Sequence, residues 1–111
     1  MSRIYLVIKD NYKIERGAIL IEKAFLSSSA ANKYAVENEY LFVQPIDTIG
    51  DSMISGSVYI VAEDLFFGSD RDDIRSVISA HTDRDSAVSA IVAIYDRNDG
   101  TVLRTVRVEV K

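Results

Sequence analysis

The sequence predicts an α+β fold: antiparallel sheet with one or two short helices packed on one face, built from a tandem pseudo-repeat of a β-β-α-β unit. Three observations predict it. Ile4-Tyr5-Leu6-Val7-Ile8-Lys9-Asp10 and Val58-Tyr59-Ile60-Val61-Ala62-Glu63-Asp64 share one pattern, with Tyr, Val and Asp identical. Strand, strand, helix and strand signals then follow each stretch in the same order. Finally, 48% of the residues are hydrophobic, as in globular chains and unlike disordered ones. At 111 residues the chain is expected to form a single domain. Its halves run from about 3 to 49 and 57 to 110, with a linker at about 50–56, and neither half is large enough to bury a sheet face alone.

Residues 3–10 place Ile4, Leu6 and Ile8 on one face and Tyr5 and Val7 on the other, so a central strand is expected. Asp10-Asn11 and Glu15-Arg16-Gly17 signal turns, and 18–26 is rich enough in branched residues to return as a hairpin partner. Ser27-Ser28-Ser29 offers N-cap hydroxyls, after which Ala31, Tyr34, Ala35 and Asn38 recur at helical spacing. Leu41-Phe42-Val43 resumes extended structure, and Pro45, lacking an amide proton, marks this strand as an edge or a bulge.

In the second half, residues 58–64 and 74–81 are the first two strands. Thr82 with Asp85 three residues on is a variant capping box. The next segment fits two descriptions. Val88, Ile91, Val92 and Tyr95 have helical spacing, whereas 91–95 could also be a buried strand facing 101–110 across Asn98-Asp99-Gly100. The internal repeat favours the helix. Residues 101–110 alternate clearly, with Val102, Val106, Val108 and Val110 inward and Arg104 the exception.

The charge balance excludes several functions. There are 13 basic and 17 acidic residues, net -4, too acidic for general phosphate-backbone affinity and too mild for nucleic-acid mimicry. The lack of cysteine removes disulfides, thiolate metal sites and cysteine nucleophiles. It suits a cytoplasmic location, as does the absence of an apolar N-terminal run or of about 20 consecutive apolar residues. A single histidine, His81, rules out a zinc centre built on two imidazoles. Asp70-Arg71-Asp72-Asp73 and Asp96-Arg97-Asn98-Asp99-Gly100 resemble fragments of calcium loops. The glycine is misplaced, however, and the closing glutamate is missing. The glycines are scattered singly, so no phosphate cradle forms, and no serine sits in a nucleophile elbow. No cofactor or metal is expected.

These exclusions favour a non-enzymatic interaction protein: an accessory, regulatory or inhibitory factor with a protein partner, of the type found among small phage and mobile-element proteins. The expected contact patch is Phe66, Phe67, Asp70, Asp72 and Asp73, an aromatic pair ahead of an acid-rich turn that has no counterpart in the first half. The alternative is a small-ligand binder with a cleft between the halves or between protomers, lined by Tyr5, Tyr59, Arg75 and His81. A hydrolase-type enzyme with His81 as general base ranks below both, because no nucleophile accompanies it. Unpaired strand edges are compatible with a homodimer.

Overall fold

In the computed structural model, residues 3–10, 17–38, 41–50, 54, 56–64, 73–95 and 102–111 are described. Eight elements follow in the order β1 (Arg3–Asp10), β2 (Ile19–Phe25), α1 (Ser28–Val36), β3 (Leu41–Ile49), β4 (Ser57–Asp64), β5 (Ile74–His81), α2 (Arg84–Tyr95) and β6 (Leu103–Glu109). The fold is α+β, as expected, and the segment that fitted both helix and strand is a helix.

The six strands form one sheet in the order β2-β1-β3-β5-β4-β6. Strands β1 and β4 are central, each flanked by its own antiparallel neighbours, which explains why both faces of each are apolar. The sheet is mixed and not purely antiparallel. Thr48 and Ile49 at the end of β3 pair in parallel with Ala80 and His81 of β5. A second parallel bridge joins Ala24 to Val110, supported by Lys111 N–H donating to the Ala24 carbonyl at 2.8 Å and Leu26 N–H to the Lys111 carbonyl at 3.3 Å. The two ends of the strand order therefore meet, and the sheet closes on itself. The parallel contacts arise because the last strand of each strand-strand-helix-strand segment runs alongside the second strand of the other.

The core fills the inside of this closed sheet. Ile4, Leu6 and Ile8 of β1 face Val58, Ile60 and Ala62 of β4, with Ala24, Ile74, Ala80 and Val108 completing the cluster. At ~25 cal/mol per Å² of apolar area, burying each of the large side chains contributes about 1.5–3 kcal/mol. Val7 and Val61, on the opposite face, are also fully buried, because α1 packs on β1 and α2 on β4. Tyr5 and Tyr59 share that outer face and are half-buried.

Local chemistry sets the helix starts. Ser27 caps α1, its hydroxyl accepting from Ala30 N–H at 3.3 Å. The cap of α2 is Asp83, one residue beyond the expected Thr82: its Oδ1 accepts from Ser86 N–H at 2.8 Å. The Thr82 amide is already committed, donating to the Ile49 carbonyl at 3.0 Å, so Thr82 still belongs to the sheet. Pro45 stands opposite Tyr5 of β1. β3 pairs with β5 only at Thr48 and Ile49, so Pro45 lies where the second side of β3 has no described strand partner.

Candidate functional site

His81 ends β5 opposite Tyr59 and is 1% exposed. Its Nε2 shares a hydrogen bond with Ser79 Oγ at 2.6 Å, and its Nδ1 shares one with Ser86 Oγ at 2.7 Å. A neutral imidazole carries one donor and one acceptor, so one serine hydroxyl donates to the ring and the other accepts from it. Burial pushes the His81 pKa below its ordinary value, against a weaker upward pull from the Asp83 carboxylate. Ser86 lies in the first turn of α2, so Ser79–His81–Ser86 is a polar strut between the sheet and that helix.

The distance from Ser79 Oγ to His81 Nε2 would suit a nucleophile and its base. The remaining geometry does not support that use. The ring is sealed, its other nitrogen is held by a hydroxyl and not a carboxylate, and two cavities among the described residues are lined by neither Ser79 nor His81. In the first half the corresponding space under α1 holds Phe25 and Tyr34, with ring centroids 5.6 Å apart and Lys23 Nζ 5.0 Å above Tyr34.

The four residues expected to line a ligand cleft are not gathered together. Tyr59 and His81 are neighbours, but Tyr5 sits between Phe25 and Pro45, with strands β3 and β5 separating β1 from β4. Arg75 is exposed near the other end of β5, roughly 20 Å along the strand from His81. Two cavities lie elsewhere. One of about 330 Å³ is lined by Gly56, Ser57, Arg107 and Glu109, and one of about 120 Å³ by Lys9, Glu22, Tyr34, Asn38 and Leu41. Of the expected contact patch, Phe66, Phe67, Asp70 and Asp72 lie outside the described residues. Asp73 is 5% exposed, so its carboxylate is held inside the fold and does not present an outward contact. Among the described residues no group of three or more His, Asp or Glu stands together as a metal site, and no helix is long and apolar enough to cross a membrane.

A surface feature that the sequence reading did not single out is the outward side of α2. Ala87 is buried and Ser86, Ala90, Ile91 and Ile94 are half-buried. Val88, Val92 and Tyr95 are 42%, 53% and 48% exposed, and Ser89 and Ala93 beside them are also exposed. Val88, Val92 and Tyr95, which share helical spacing with Ile91, therefore face outward. Tyr95 is held in place through its hydroxyl, which accepts from Leu103 N–H at 3.1 Å and donates to the Leu103 carbonyl at 3.5 Å.

Helix α1 provides an internal comparison. Ala31 and Ala87 are the single buried residues of their helices and stand at the same distance from their caps. Counted from those caps, Val88, Ser89, Val92 and Ala93 correspond to Asn32, Lys33, Val36 and Glu37, all four exposed. One outward face carries an amide and two charges, and the other carries no charge between Ser86 and Tyr95. Scans against protein-family models, curated proteins and solved structures found nothing that matches the chain.

Proposed function

We propose that this protein is a non-enzymatic interaction module, an accessory, regulatory or inhibitory factor that acts by contact with another macromolecule through the outward face of α2. The observation that carries this reading is the contrast between the helices. At the same distance from its cap α1 carries the exposed charges Lys33 and Glu37, whereas the exposed charges of α2, Arg84 and Asp85, stand only in its first turn and leave Val88, Ser89, Val92 and Ala93 uncharged. Phe66 and Phe67, with Asp70 and Asp72, are proposed as a second contact surface. A photo-crosslinking residue at position 92, in the native cell, should yield a defined adduct that is absent when the same residue replaces Val36. Equal labelling from both positions, or none from position 92, would reject the α2 surface. Loss of the adduct in a Phe66→Ala/Phe67→Ala chain would implicate the aromatic pair as well.

A second reading, a small-ligand binder, is favoured by the 330 Å³ cavity, a volume in the range of small-molecule sites. Arg107 and Glu109 give it both charges, and Val110 N–H donates to the Gly56 carbonyl at 2.9 Å beside the Ala24–Val110 bridge. Native mass spectrometry of protein purified from its own cell distinguishes this reading, since a bare chain mass counts against it.

We also infer that the chain is a tandem duplication. Tyr5 stands between Phe25 and Pro45 as Tyr59 stands between His81 and Arg107. A bulge follows Val7 in one half and Val61 in the other. The bridges Thr48–Ala80 and Val110–Ala24 correspond under the same alignment, and Ile19 pairs with its own counterpart, Ile74. A circular permutant opened within 50–56 and joining Lys111 to Met1 through a linker of similar length should fold with near-native stability. An unfolded permutant would count against equivalent halves.

A further inference from the structure

Resting on the second reading, the small-ligand binder, we infer that the 330 Å³ cavity takes a free α-amino acid, with its carboxylate on Arg107 and its ammonium on Glu109. The ends of two strand ladders show why a cavity with both charges opens there. In the first half, Arg3 of β1 stands opposite Asp47 of β3, and Arg3 Nε donates to Asp47 Oδ1 at 3.0 Å. An arginine of the chain itself thus reaches across the strands to that carboxylate. The matching place in the second half, two residues before Tyr59 as Arg3 is two before Tyr5, pairs Ser57 of β4 with Glu109 of β6. A serine side chain is too short to make that reach, so the space that Arg3 fills in the first half is open over Ser57. Gly56 beside it adds no side chain, and a Cβ built there would meet nothing within 4 Å.

The charges around this opening suit a ligand that carries both signs. Arg107 and Glu109 lie on the same face of β6, about 7 Å apart along the strand, yet they are not paired with each other. Arg107 Nε donates to Ser57 Oγ at 3.3 Å, and Glu109 Oε1 accepts from Lys111 Nζ at 2.9 Å. A guanidinium keeps further N–H donors in a fork that matches a carboxylate, and the second oxygen of Glu109 can accept from an ammonium. The hydrogen bond and charge of Lys111 hold the Glu109 carboxyl below its ordinary range, so it is anionic at neutral pH. An α-amino acid carries its ammonium and carboxylate on one carbon. Charge-assisted bonds of about 2.8 Å at each end let it bridge the two side chains. A lone anion is repelled by Glu109 and a lone cation by Arg107, whereas the zwitterion is attracted by both.

The test is two-dimensional amide NMR of the full chain at low ionic strength, where exposed charges are least screened. The probes are L-alanine, L-glutamine and L-arginine, with acetate and methylammonium as single-charge controls. At least one amino acid should shift the Gly56 and Ser57 amides saturably, with a Kd below about 1 mM, and the controls should bind at least tenfold more weakly. Ser57→Arg, which gives this ladder end the side chain of the first half, should weaken the response at least tenfold while the rest of the spectrum stays native. Should that variant fail to fold, Arg107→Gln and Glu109→Gln, both at exposed positions, should each weaken it by the same factor. No saturable shift from any of the three amino acids, controls that bind as tightly as they do, or a folded variant that binds as well as the parent overturns the inference. The mass of the chain from its own cell separates this failure from that of the reading beneath it. A bound mass that is no amino acid ends the inference and keeps the ligand binder. A bare chain with no saturable shift ends both.

Discussion

Deleting one hydroxyl from the Ser79–His81–Ser86 strut should cost far more than deleting all of its polarity. His81 is 1% exposed and both ring nitrogens are engaged, at 2.6 and 2.7 Å. Ser79→Ala or Ser86→Ala leaves one buried nitrogen without a partner, at a cost of about 1–3 kcal/mol. Ser86→Ala falls at the lower end, because alanine in the first turn of α2 recovers a few tenths of a kcal/mol in helix propensity. With an unfolding entropy of roughly 2.1 cal/mol/K per residue over a chain of this length, each kcal/mol moves Tm by about 4 °C. The single variants should therefore melt about 4–13 °C below the parent. The triple variant Ser79→Ala/His81→Phe/Ser86→Ala removes the donors and acceptors together and puts a phenyl ring where the first half has Phe25, so it should lie within ~1 kcal/mol of the parent. Thermal and urea unfolding at pH 8, where the imidazole is neutral in both states, provide the comparison. If both single variants sit within ~0.5 kcal/mol of the parent, water reaches the ring and the strut is not a sealed one.

The same histidine makes stability depend on pH. Its folded pKa lies below the unfolded value of 6.5, so the unfolded chain binds the proton more readily. The stabilisation is complete above that value and is lost as pH falls through the window between the two pKa values, with a slope of at most about 1.4 kcal/mol per pH unit. Urea midpoints from pH 8 to 5 should show this slope in the parent and lose it in His81→Phe. At Gly50, φ is +126°, and an added Cβ would run into Thr82 Oγ1 and lie 3.3 Å from Asp83 Oδ2. Gly50→Ala should cost about 1–3 kcal/mol from the backbone alone, with Thr82→Ala relieving only the steric part. A neutral Gly50→Ala by urea unfolding would show that this turn is not fixed.

Much of the scaffold was legible because β1 and β4 have to be apolar on both faces and Ser27 is the first cap-competent residue before a helical pattern. The parallel contacts were not, since nothing in Thr48-Ile49 or Ala80-His81 specifies which strand of the other half will lie alongside. The rotation of α2 was also hidden. Ala87, Val88, Ala90, Ile91, Val92, Ala93 and Ile94 surround the helix with apolar groups, and Ser89 is too weak a polar marker to identify the solvent side. The strut left only a faint trace, serines two residues before and five after the one histidine. Tyr5 and Tyr59 looked like partners because their stretches match, yet β3 and β5 stand between the strands that carry them. Asp73 read as one of a run of exposed acids, and its burial depends on tertiary contacts that no local pattern reveals.

The two parallel bridges differ in the distance along the chain that they have to close. Thr48 and Ala80 are 32 residues apart, whereas Ala24 and Val110 are 86 apart. Loop-closure entropy grows with that separation, so the Ala24–Val110 contact is the more costly of the two to close. Both backbone bonds across it, Lys111 N–H to the Ala24 carbonyl and Leu26 N–H to the Lys111 carbonyl, involve Lys111. Anything attached after Lys111 therefore pulls directly on the contact that closes the sheet. A fusion placed before Arg3, where β1 is paired with β3 from its first residue, pulls on a complete ladder.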